Sequence, residues 1–406
     1  MGSPRCDARA LVDVLVRAAL VGCDPTSPTR EAIARRTLRE PITIVAVGKC
    51  AAAMMRGALE ACAPTAALVL APAGPDLEAL ARRGVEVRIG SPPHPAPDAV
   101  DHGREVLELV SRAPASGTVI ALVSGGGSSL LEVPAPGVDL AEIREIADKL
   151  MRRGVAIDAL NAVRRALSDV KGGRLAAACR ARVVTLVCED VPGRPELVAS
   201  GPTVPCNEFV DTLAIVEDHG IVVSDAARRA MHRTAPTLTR PAELEVVADN
   251  ASARRAVIAA GATLGLAFQD LGVILGGEAR TMGPRVVAEA RSRGAPVVCG
   301  GETTVTVRGN GLGGRNQELV LGAYLEAPRG LVCAFGTDGV DGRSANAGAF
   351  LDPVAWARVS DAAARARAAL DENASAAFFE ESGSAVVTGP TGTNVADLCF
   401  VVPDDG

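Results

Sequence analysis

Several glycine-rich loops of this 406-residue chain follow apolar runs and carry residues that can bind anions. The run "ALVSGGGSSLL" (121–131) is the clearest of these, since a predicted strand ends there and a predicted helix begins. Glycines allow a close backbone approach, serines cap helices, and exposed amides bind anions. The motif therefore predicts a phosphate or carboxylate site, although a plain strand-to-helix turn is the alternative. Its predicted binding residues are Ser124, Gly125, Gly126, Gly127, Ser128 and Ser129.

Lysine is rare enough here that each lysine needs an explanation, because the 42 basic residues include only Lys49, Lys149 and Lys171 as lysines. Lys49 lies in "AVGKCAAAMM" (46–55), at a predicted strand-to-helix junction. The loop is not a Walker A motif, since the first glycine is missing and Cys50 replaces the Ser or Thr. Ligands bind at such junctions in parallel α/β sheets, so we expect Lys49 to contact ligand. A surface lysine is the alternative.

The loop "GNGLGGRNQELVL" (309–321) places Arg315 and Asn316 at a predicted helix start. Arginine presents a planar fork of donors that suits phosphate and carboxylate oxygens. The glycines alone would also fit a hairpin or a mobile lid. Their spacing is not the dinucleotide fingerprint G-x-G-x-x-G, so the sequence does not support a nicotinamide cofactor.

Carboxylates follow another predicted strand in "FGTDGVDGRSANAG" (335–348). The order of residues does not match a calcium loop. Beside a phosphate site, Asp338 and Asp341 are instead predicted to hold Mg²⁺ or a hydroxyl group. A further turn, "TGPTGTNVADL" (388–398), carries Thr391, Thr393, Asn394 and Asp397 just before a predicted strand, and Thr391 and Asn394 are its candidate binding residues.

The segment "LNAVRRALSDVKGGRLA" (160–176) is predicted to form two helices separated by a break at Gly172 and Gly173. Helical spacing would place Asn161, Arg164, Ser168 and Lys171 on one face. We predict ligand contact for Lys171, with a solvated helix face as the alternative. His94, in the stiff loop "SPPHPAPD", is a candidate ligand contact, and a structural hydrogen bond is equally compatible.

The elements that would position these loops alternate between short β-branched strands and longer Ala/Leu/Arg helices. This alternation predicts an α/β fold, with a large doubly wound parallel sheet in an N-terminal domain. From about residue 295 the sequence pattern changes to β-rich runs and glycine-rich loops, which predicts a smaller α/β domain with a mixed sheet. Within this domain, residues 303–308 are predicted to form a half-exposed strand. We assign the domains to 1–240 and 241–406, and expect the active site in the cleft between them.

Composition excludes several classes of partner. A net charge of −6 and a pI near 5.5 give no basic surface for nucleic acid or anionic lipid. The start of the chain predicts an amphipathic helix rather than a signal peptide, and no apolar run reaches membrane-spanning length. Ten cysteines without a C-x-x-C pair indicate buried reduced thiols. We expect a cytoplasmic protein.

Taken in order, the motifs resemble the glycerate 2-kinase family, whose smaller C-terminal part is called the MOFRL domain. The resemblance covers nearly the whole chain. It rests on "AVGKCAAAMM", "SPPHPAPD", "VSGGGSSLL", "NAVRRALSDVKGGRLA", "EDVPGRPELVASGPT", "GGETTVTVRGNGLGGRNQEL", "GTDGVDG" and "TGPTGTNVADL". It implies transfer of the γ-phosphoryl of ATP to the 2-hydroxyl of D-glycerate, with Mg²⁺ or another divalent cation. It also implies that the MOFRL domain covers about 295–402.

The resemblance also implies roles for individual residues. The essential lysine and arginine of the family correspond to Lys49 and Arg315, and the Asp of "DVPG" corresponds to Asp190. We expect Lys49 and Arg315 to neutralise phosphoryl oxygens and Asp190 to accept the hydroxyl proton. The remaining residues carried into the site are Ser200, Thr203 and Glu302.

Departures from the family pattern occur at three positions. Arg194 stands where many relatives carry an acidic residue, which puts a metal or nucleotide role for that position in doubt. Arg343 and Asn346 likewise replace a Pro or Thr and an acidic residue.

Three other functions stay open from the sequence. A related small hydroxy acid could be the substrate, the chain could be a hydroxypyruvate reductase, or it could bind acids without catalysis. A homodimer is also left open.

Overall fold

The computed structural model describes residues 7–91, 95–206 and 210–404. The chain divides into two compact units by its internal contacts. We call Pro25–Ala248 the central unit, and Met1–Asp24 together with Asp249–Gly406 the terminal unit. Among the described residues, no helix combines the length and the apolar character needed to cross a membrane.

The central unit is built on a six-stranded parallel sheet. Its strands are β1 (Ile42–Val47), β2 (Ala66–Ala71), β3 (Glu86–Ile89), β4 (Thr118–Ser124), β5 (Arg182–Cys188) and β6 (Glu243–Ala248). They lie in the order β3-β2-β1-β4-β5-β6. β1 and β4 are buried along their whole length, as continuous β-branched runs require when both faces of a sheet are covered.

Helices connect these strands, and longer ones, such as those at Pro97–Ser111 and Leu140–Arg152, present an apolar stripe to the core. They are α2 (Thr26–Ala34), α3 (Ala51–Ala61), α4 (Asp76–Arg82), α5 (Pro97–Ser111), α6 (Gly127–Leu130), α7 (Leu140–Arg152), α8 (Ile157–Ala166), α9 (Arg174–Ala177), α10 (Thr212–Asp218) and α11 (Asp225–Met231), with a 3₁₀ segment at Pro195–Ser200. Helix α5 begins with Pro97, whose fixed φ suits a first helical turn.

The terminal unit contains a six-stranded mixed sheet. Its strands are β7 (Gln269–Leu275), β8 (Val297–Gly301), β9 (Leu331–Gly336), β10 (Gly348–Leu351), β11 (Ala385–Val386) and β12 (Asp397–Val402). They lie in the order β11-β10-β9-β12-β8-β7, and only β7 and β8 pair in parallel. Since β12 runs antiparallel to β8 and β9, its first residue lies beside the last residues of both neighbours.

The first helix of the chain belongs to the terminal unit. The helices of this unit are α1 (Ala8–Gly22), α12 (Asn250–Thr263), α13 (Ala279–Arg293), α14 (Arg315–Glu326), α15 (Pro353–Ala357), α16 (Ala362–Asp371) and α17 (Ser375–Ser382). Helix α1 packs on α12 so closely that a Cβ on Gly22 would lie 2.3 Å from the Ala256 Cβ. Arg9 donates to the carbonyl of Ala385 at 2.9 Å and lies over the Phe350 ring.

The predicted α/β class, the parallel sheet and the mixed sheet are confirmed. The predicted strand at 303–308 is wrong, because only Thr304 forms an isolated bridge there. Side chains replace a strand partner in this segment: Glu278 accepts from the Thr306 amide and Asn373 from the Arg308 amide.

The predicted shared helix face is also wrong for Ser168 and Lys171, since α8 ends at Ala166. The contact division places the first 24 residues with the C-terminal part and continues the central unit to Ala248. It therefore differs from the division into 1–240 and 241–406, which stays a prediction about functional domains.

Candidate active site

Three adjacent strands of the central unit deliver the predicted site residues to one edge of the sheet. Val47 at the end of β1 pairs with Val123 of β4, and Ser124 at the end of β4 pairs with Cys188 of β5. The strand order reverses between β1 and β4, and parallel α/β sheets bind ligands at such a switch point. The loops with Lys49, the glycine triplet and Asp190 all begin at this edge.

Gly48 allows the first two loops to touch. Its φ is +118°, and a Cβ there would lie 2.3 Å from the Ser124 hydroxyl. That hydroxyl is fully buried; it accepts from the Cys50 amide at 3.0 Å and donates to the Val47 carbonyl at 3.2 Å. Ser124 therefore joins the two loops through hydrogen bonds within the protein.

Lys49 lies across the glycine triplet. Its amide donates to the Gly125 carbonyl at 2.8 Å, and its side-chain carbons pass 3.2–3.7 Å from the position of a Cβ on Gly126. Gly126 has a φ of +79°, which explains why the loop needs glycine at that point. The structure thus brings Lys49 and the predicted anion loop into direct contact.

The loop after the triplet is only partly as predicted. The helix that it opens, α6, is a single turn, so its dipole adds little to anion binding. Ser129 does not cap that turn: its hydroxyl donates back to the Gly126 carbonyl at 2.9 Å, and the N-cap position is Gly126 itself. Ser128 instead contacts Ser200, with the two hydroxyl oxygens 2.7 Å apart.

Ser200 lies in a strained left-handed run. Ala199, Ser200 and Gly201 have φ values of 51°, 63° and 61°. Such conformations cost free energy for residues with a Cβ and often occur at functional sites. The Gly172 amide holds this run by donating to the Ser200 carbonyl at 3.0 Å.

Lys171 is buried, with 1% of its side chain exposed, and its ammonium pairs with the fully buried Glu132. Burial lowers the pKa of Lys171, and the charge of Glu132 opposes that shift. Lys171 is thus engaged by a protein carboxylate, and its predicted direct ligand contact stays a prediction.

Two further predicted residues differ in exposure. Thr203 is buried and accepts from the Thr185 hydroxyl at 2.8 Å, so its hydroxyl is directed into the protein. Asp190 follows the end of β5 and is half-buried.

Arg194, the first of the departures from the family pattern, pairs with Glu196 at 2.9 Å, and its amide donates to Glu189.

In the terminal unit, Arg315 begins α14 and is held by Asp397. Its Nε and Nη2 donate to the two carboxylate oxygens of Asp397 at 2.5 and 2.9 Å, and Nη2 lies 3.2 Å from Glu302. Burial lowers the pKa of Arg315, but the hydrogen bonds and charge of Asp397 raise it to a net value above the ordinary one. Arg315 is therefore a permanently charged, oriented donor.

Asp341 supports the beginning of the same helix. It is fully buried, and its two carboxylate oxygens accept from the amides of Asn316 at 3.0 Å and Gln317 at 2.9 Å. Burial raises the pKa of Asp341 to about 6, although these amides lower it. Asn316 is itself buried, and its Oδ1 has no hydrogen-bond partner in the described structure.

Asp338 suits a metal better than Asp341 does. Mg²⁺ takes one or two carboxylates, completed by water and substrate phosphate. Asp338 Oδ1, the Val340 carbonyl oxygen and Asp397 Oδ1 lie 3.1, 3.1 and 3.3 Å from the point where a Cβ on Gly336 would stand, so two carboxylates converge beside this glycine. Asp338 Oδ1 also accepts from the Val340 amide at 3.1 Å. Within the described residues, no cluster of three or more His, Cys, Asp or Glu forms a metal site.

The glycines before Arg315 provide close packing. A Cβ on Gly309 would lie 2.4 Å from the Glu372 carbonyl oxygen, and one on Gly314 would lie 2.3 Å from the Asp341 carboxylate carbon. Asn373, with a φ of 52°, accepts from the amides of Arg308 and Gly309. The loop is thus docked along residues 372–375, which favours a fixed mount for Arg315 over the alternative of a mobile lid.

The remaining candidate residues differ in their burial and in their hydrogen-bond partners. The Thr391 hydroxyl donates to the Thr337 carbonyl at 2.6 Å, and Asn394 is half-buried in the same turn. The amide of Arg343 donates to Gly313, and the carbonyl of Asn346 accepts from Asp341. His94 lies outside the described residues.

Asp397 and Glu132 were not among the site residues predicted from sequence. The sequence does place Asp397 in a turn just before a predicted strand, but it assigns no role to this carboxylate. Its contact with Arg315 depends on antiparallel pairing that the sequence does not disclose. Glu132, in "LLEVPAP", is a lone carboxylate among apolar residues, a setting that predicts a buried partner.

Fold and site together define a two-unit α/β protein whose glycine-rich loops position a lysine in one unit and an arginine in the other. Comparison with known proteins identifies the family within this class. A domain of unknown function (DUF4147) matches residues 10–232, and the MOFRL family matches residues 295–397. A D-glycerate 2-kinase of Thermotoga maritima is 34% identical, with 95% of each chain covered. The chain belongs to the glycerate 2-kinase family, which has DUF4147 and MOFRL parts.

Other relatives agree on the family and differ in name. A solved structure of a Thermotoga maritima glycerate kinase matches with a TM-score of 0.85 at 32% identity, covering 98% of this chain and 99% of that one. A protein of Agrobacterium vitis that is 35% identical, with 96% of this chain and 93% of its own length covered, carries the provisional name hydroxypyruvate reductase.

Proposed function

We propose that this protein transfers the γ-phosphoryl group of ATP to the 2-hydroxyl of D-glycerate, giving 2-phospho-D-glycerate and ADP. Relatives named glycerate 2-kinase support this activity. The single observation that carries it at the site is Lys49, held across the glycine triplet at the switch point of the parallel sheet.

In the proposed reaction, the 2-hydroxyl oxygen bonds to the γ-phosphorus and the bond to the β–γ bridging oxygen breaks. Catalysis of phosphoryl transfer depends mainly on positioning and charge stabilisation. Lys49 and Arg315 would neutralise the phosphoryl oxygens, and Asp190 would accept the hydroxyl proton. Asp397 would act as a positioning residue, because it fixes the guanidinium of Arg315 in one plane. A shared cleft for the two units stays a prediction.

Mg²⁺ would neutralise phosphate charge when bound. The convergence of two carboxylates beside Gly336 supports Asp338 as its protein ligand, whereas both carboxylate oxygens of Asp341 are engaged by the amides that begin α14. We propose further that the protein works in the cytoplasm, which the use of ATP and the nine free thiols among the described residues support.

The test is to incubate the purified protein with ATP, Mg²⁺ and D-glycerate, and to couple the product to enolase with and without phosphoglycerate mutase. Signal with enolase alone is expected, because only 2-phosphoglycerate is an enolase substrate. Signal that requires the mutase would instead establish a 3-kinase. No signal under either condition would overturn the proposal and direct the search to other hydroxy acids.

Single variants then connect the activity to the site. Lys49→Ala and Arg315→Ala should each lower kcat at least ~10²-fold, by analogy with other lost electrostatic donors. Arg229→Ala removes an exposed arginine of the central unit and serves as the matched control. Wild-type rates in both site variants would contradict the assignment.

Hydroxypyruvate reduction is the second candidate, favoured by the names of some relatives and by the strand order, which many dinucleotide-binding sheets share. The first strand-to-helix turn, however, has Gly48 alone where a dinucleotide fingerprint needs three glycines. NADH oxidation with hydroxypyruvate measures this activity directly, and we expect none.

A further inference from the structure

A surplus of buried positive charge lies beside the Ser128–Ser200 contact. Arg164 and Arg165 end helix α8, and Lys171 follows five residues beyond that helix. Glu132 is the carboxylate that meets this group, and Lys171 already pairs with it. Glu132 also acts electrostatically on Arg164, whose pKa is lowered by burial and raised by that carboxylate. Lys171 and Arg164 therefore share one carboxylate, and Arg165 is the next residue of the same helix.

Arg165 is the least satisfied member. It is 9% exposed, and its Nη1 is buried without a hydrogen-bond partner in the part of the chain that the structure describes. No ion pair of Arg165 is present within the same residues. A buried guanidinium without a counter-charge costs folding free energy, so its retention indicates that an anion completes it.

Two neighbouring arginines have their guanidinium groups hydrogen-bonded within the protein. Arg233 pairs with Asp169 and also donates to the carbonyls of Ala166 and Ser168. Arg174 donates to the carbonyls of Arg165 and Lys171 at 3.3 and 3.2 Å. Among the described residues, neither neighbour has a buried guanidinium nitrogen without a partner, which distinguishes both from Arg165.

Contacts connect this charge to the loop that carries Lys49. Arg165 Cδ lies 3.6 Å from the position of a Cβ on Gly172, and the Gly172 amide donates to Ser200, whose hydroxyl contacts Ser128. Lys49 crosses Gly126 two residues before Ser128. The arginines thus adjoin the phosphoryl-transfer loop without belonging to it.

We propose that Arg164 and Arg165 bind the carboxylate of the hydroxy-acid substrate, with the Glu132–Lys171 pair as their support; this rests on the proposed function. The planar fork of arginine matches a carboxylate in a bidentate manner. Lys49 and Arg315 are already assigned to the phosphoryl oxygens, so the acid needs a separate anchor. Recognition of the carboxylate would orient the hydroxyl toward the phosphoryl group and exclude uncharged polyols.

The experiment compares Arg164→Met and Arg165→Met with the wild type. The KM for D-glycerate, and its Kd measured calorimetrically without ATP, should rise about 10- to 100-fold through loss of charge-assisted hydrogen bonds. The KM for ATP should change less than about twofold, since a carboxylate anchor does not contact the nucleotide. Arg229→Met, which removes an exposed arginine of α11, is the matched control and should match wild type throughout.

The outcomes separate this inference from the proposed function. Phosphorylation of D-glycerate with an unchanged KM in both variants would overturn the carboxylate site alone. A raised KM for ATP with an unchanged KM for D-glycerate would assign the arginines to phosphate and also overturn it. Wild-type binding of D-glycerate without turnover, lost in the variants, would overturn the kinase and support the site. Absence of both binding and turnover in the wild type would overturn both.

A second pair of variants keeps the inference testable if the methionine variants fold poorly. If the methionine variants melt well below wild type, Arg164→Lys and Arg165→Lys decide, because they keep the charge and lose the planar fork. These variants should still raise the KM for D-glycerate several-fold. An unchanged KM in both lysine variants overturns the inference.

Discussion

At the residue scale, the two units hold their key cations differently. Arg315 is fixed by a bidentate carboxylate, Asp397, that is 1% exposed. Lys49 is located by its own amide and by the glycine that its side chain crosses. A fixed guanidinium recognises oxygens in one plane, whereas an ammonium on a flexible stem acts as a point charge. We therefore expect Arg315 to set the orientation of the bound phosphoryl group.

Asp341 gives a pH-dependent prediction at this scale. Its pKa is about 6 in the folded protein, against 3.8 for an ordinary aspartate, because it is buried. The native state then binds the proton more tightly than the unfolded chain does, so this residue makes folding less favourable as pH rises through 6. Between pH 7 and pH 5, wild type should gain about 1 kcal/mol of stability relative to Asp341→Asn.

Urea unfolding of both proteins in EDTA at the two pH values measures this difference. The subtraction cancels the other titrating groups, which the two proteins share. A stability difference that stays constant between pH 7 and pH 5, or that moves in favour of Asp341→Asn at pH 5, would contradict the raised pKa.

At the element scale, the glycine-rich loops position the charged side chains, because glycine lets two backbone segments pass close to each other. The sequence indicated which loops mattered, since the glycine runs and the charged residues after them are local features. It did not indicate what each glycine approaches. The glycines of 309–314 meet residues 341 and 372–375, which lie tens of residues away in the chain. For the same reason the segment 303–308 looked like a strand, although Glu278 and Asn373 take its amide hydrogen bonds.

Gly314→Ala tests this mounting. A Cβ at 314 would lie 2.3 Å from the Asp341 carboxylate carbon and 2.4 Å from its carbonyl carbon, so the start of α14 must move. We expect kcat to fall at least ~10-fold, because catalysis is sensitive to small misplacements of charged groups. Gly276→Ala is the matched control, since nothing lies within 4 Å of a Cβ there and its φ is not positive. Equal kcat values in the two variants would show that the start of α14 tolerates displacement.

At the scale of the whole molecule, the order of elements along the chain does not match their division into two units. The alternation of strands and helices was sufficient to predict a parallel sheet followed by a mixed one, because each strand type has its own burial pattern. That pattern does not show which sheet an N-terminal helix covers. Helix α1 buries Leu11, Val12, Leu15, Val16 and Ala19, and it does so within the terminal unit. The unit that holds Arg315 therefore depends on residues at both ends of the chain.

Leu15→Ala tests that dependence through hydrogen exchange. Leu15 is fully buried, and removing such a side chain typically costs about 2–5 kcal/mol. Because α1 packs on α12, amides of Asn250–Thr263 and of the adjacent sheet should exchange faster, while those of Ile42–Val47 in the central unit should keep wild-type rates. Val14→Ala, on the exposed side of the same helix, is the control and should leave both units unchanged. Equal acceleration in both units would mean that they open together, and faster exchange confined to the central unit would contradict the assignment of α1.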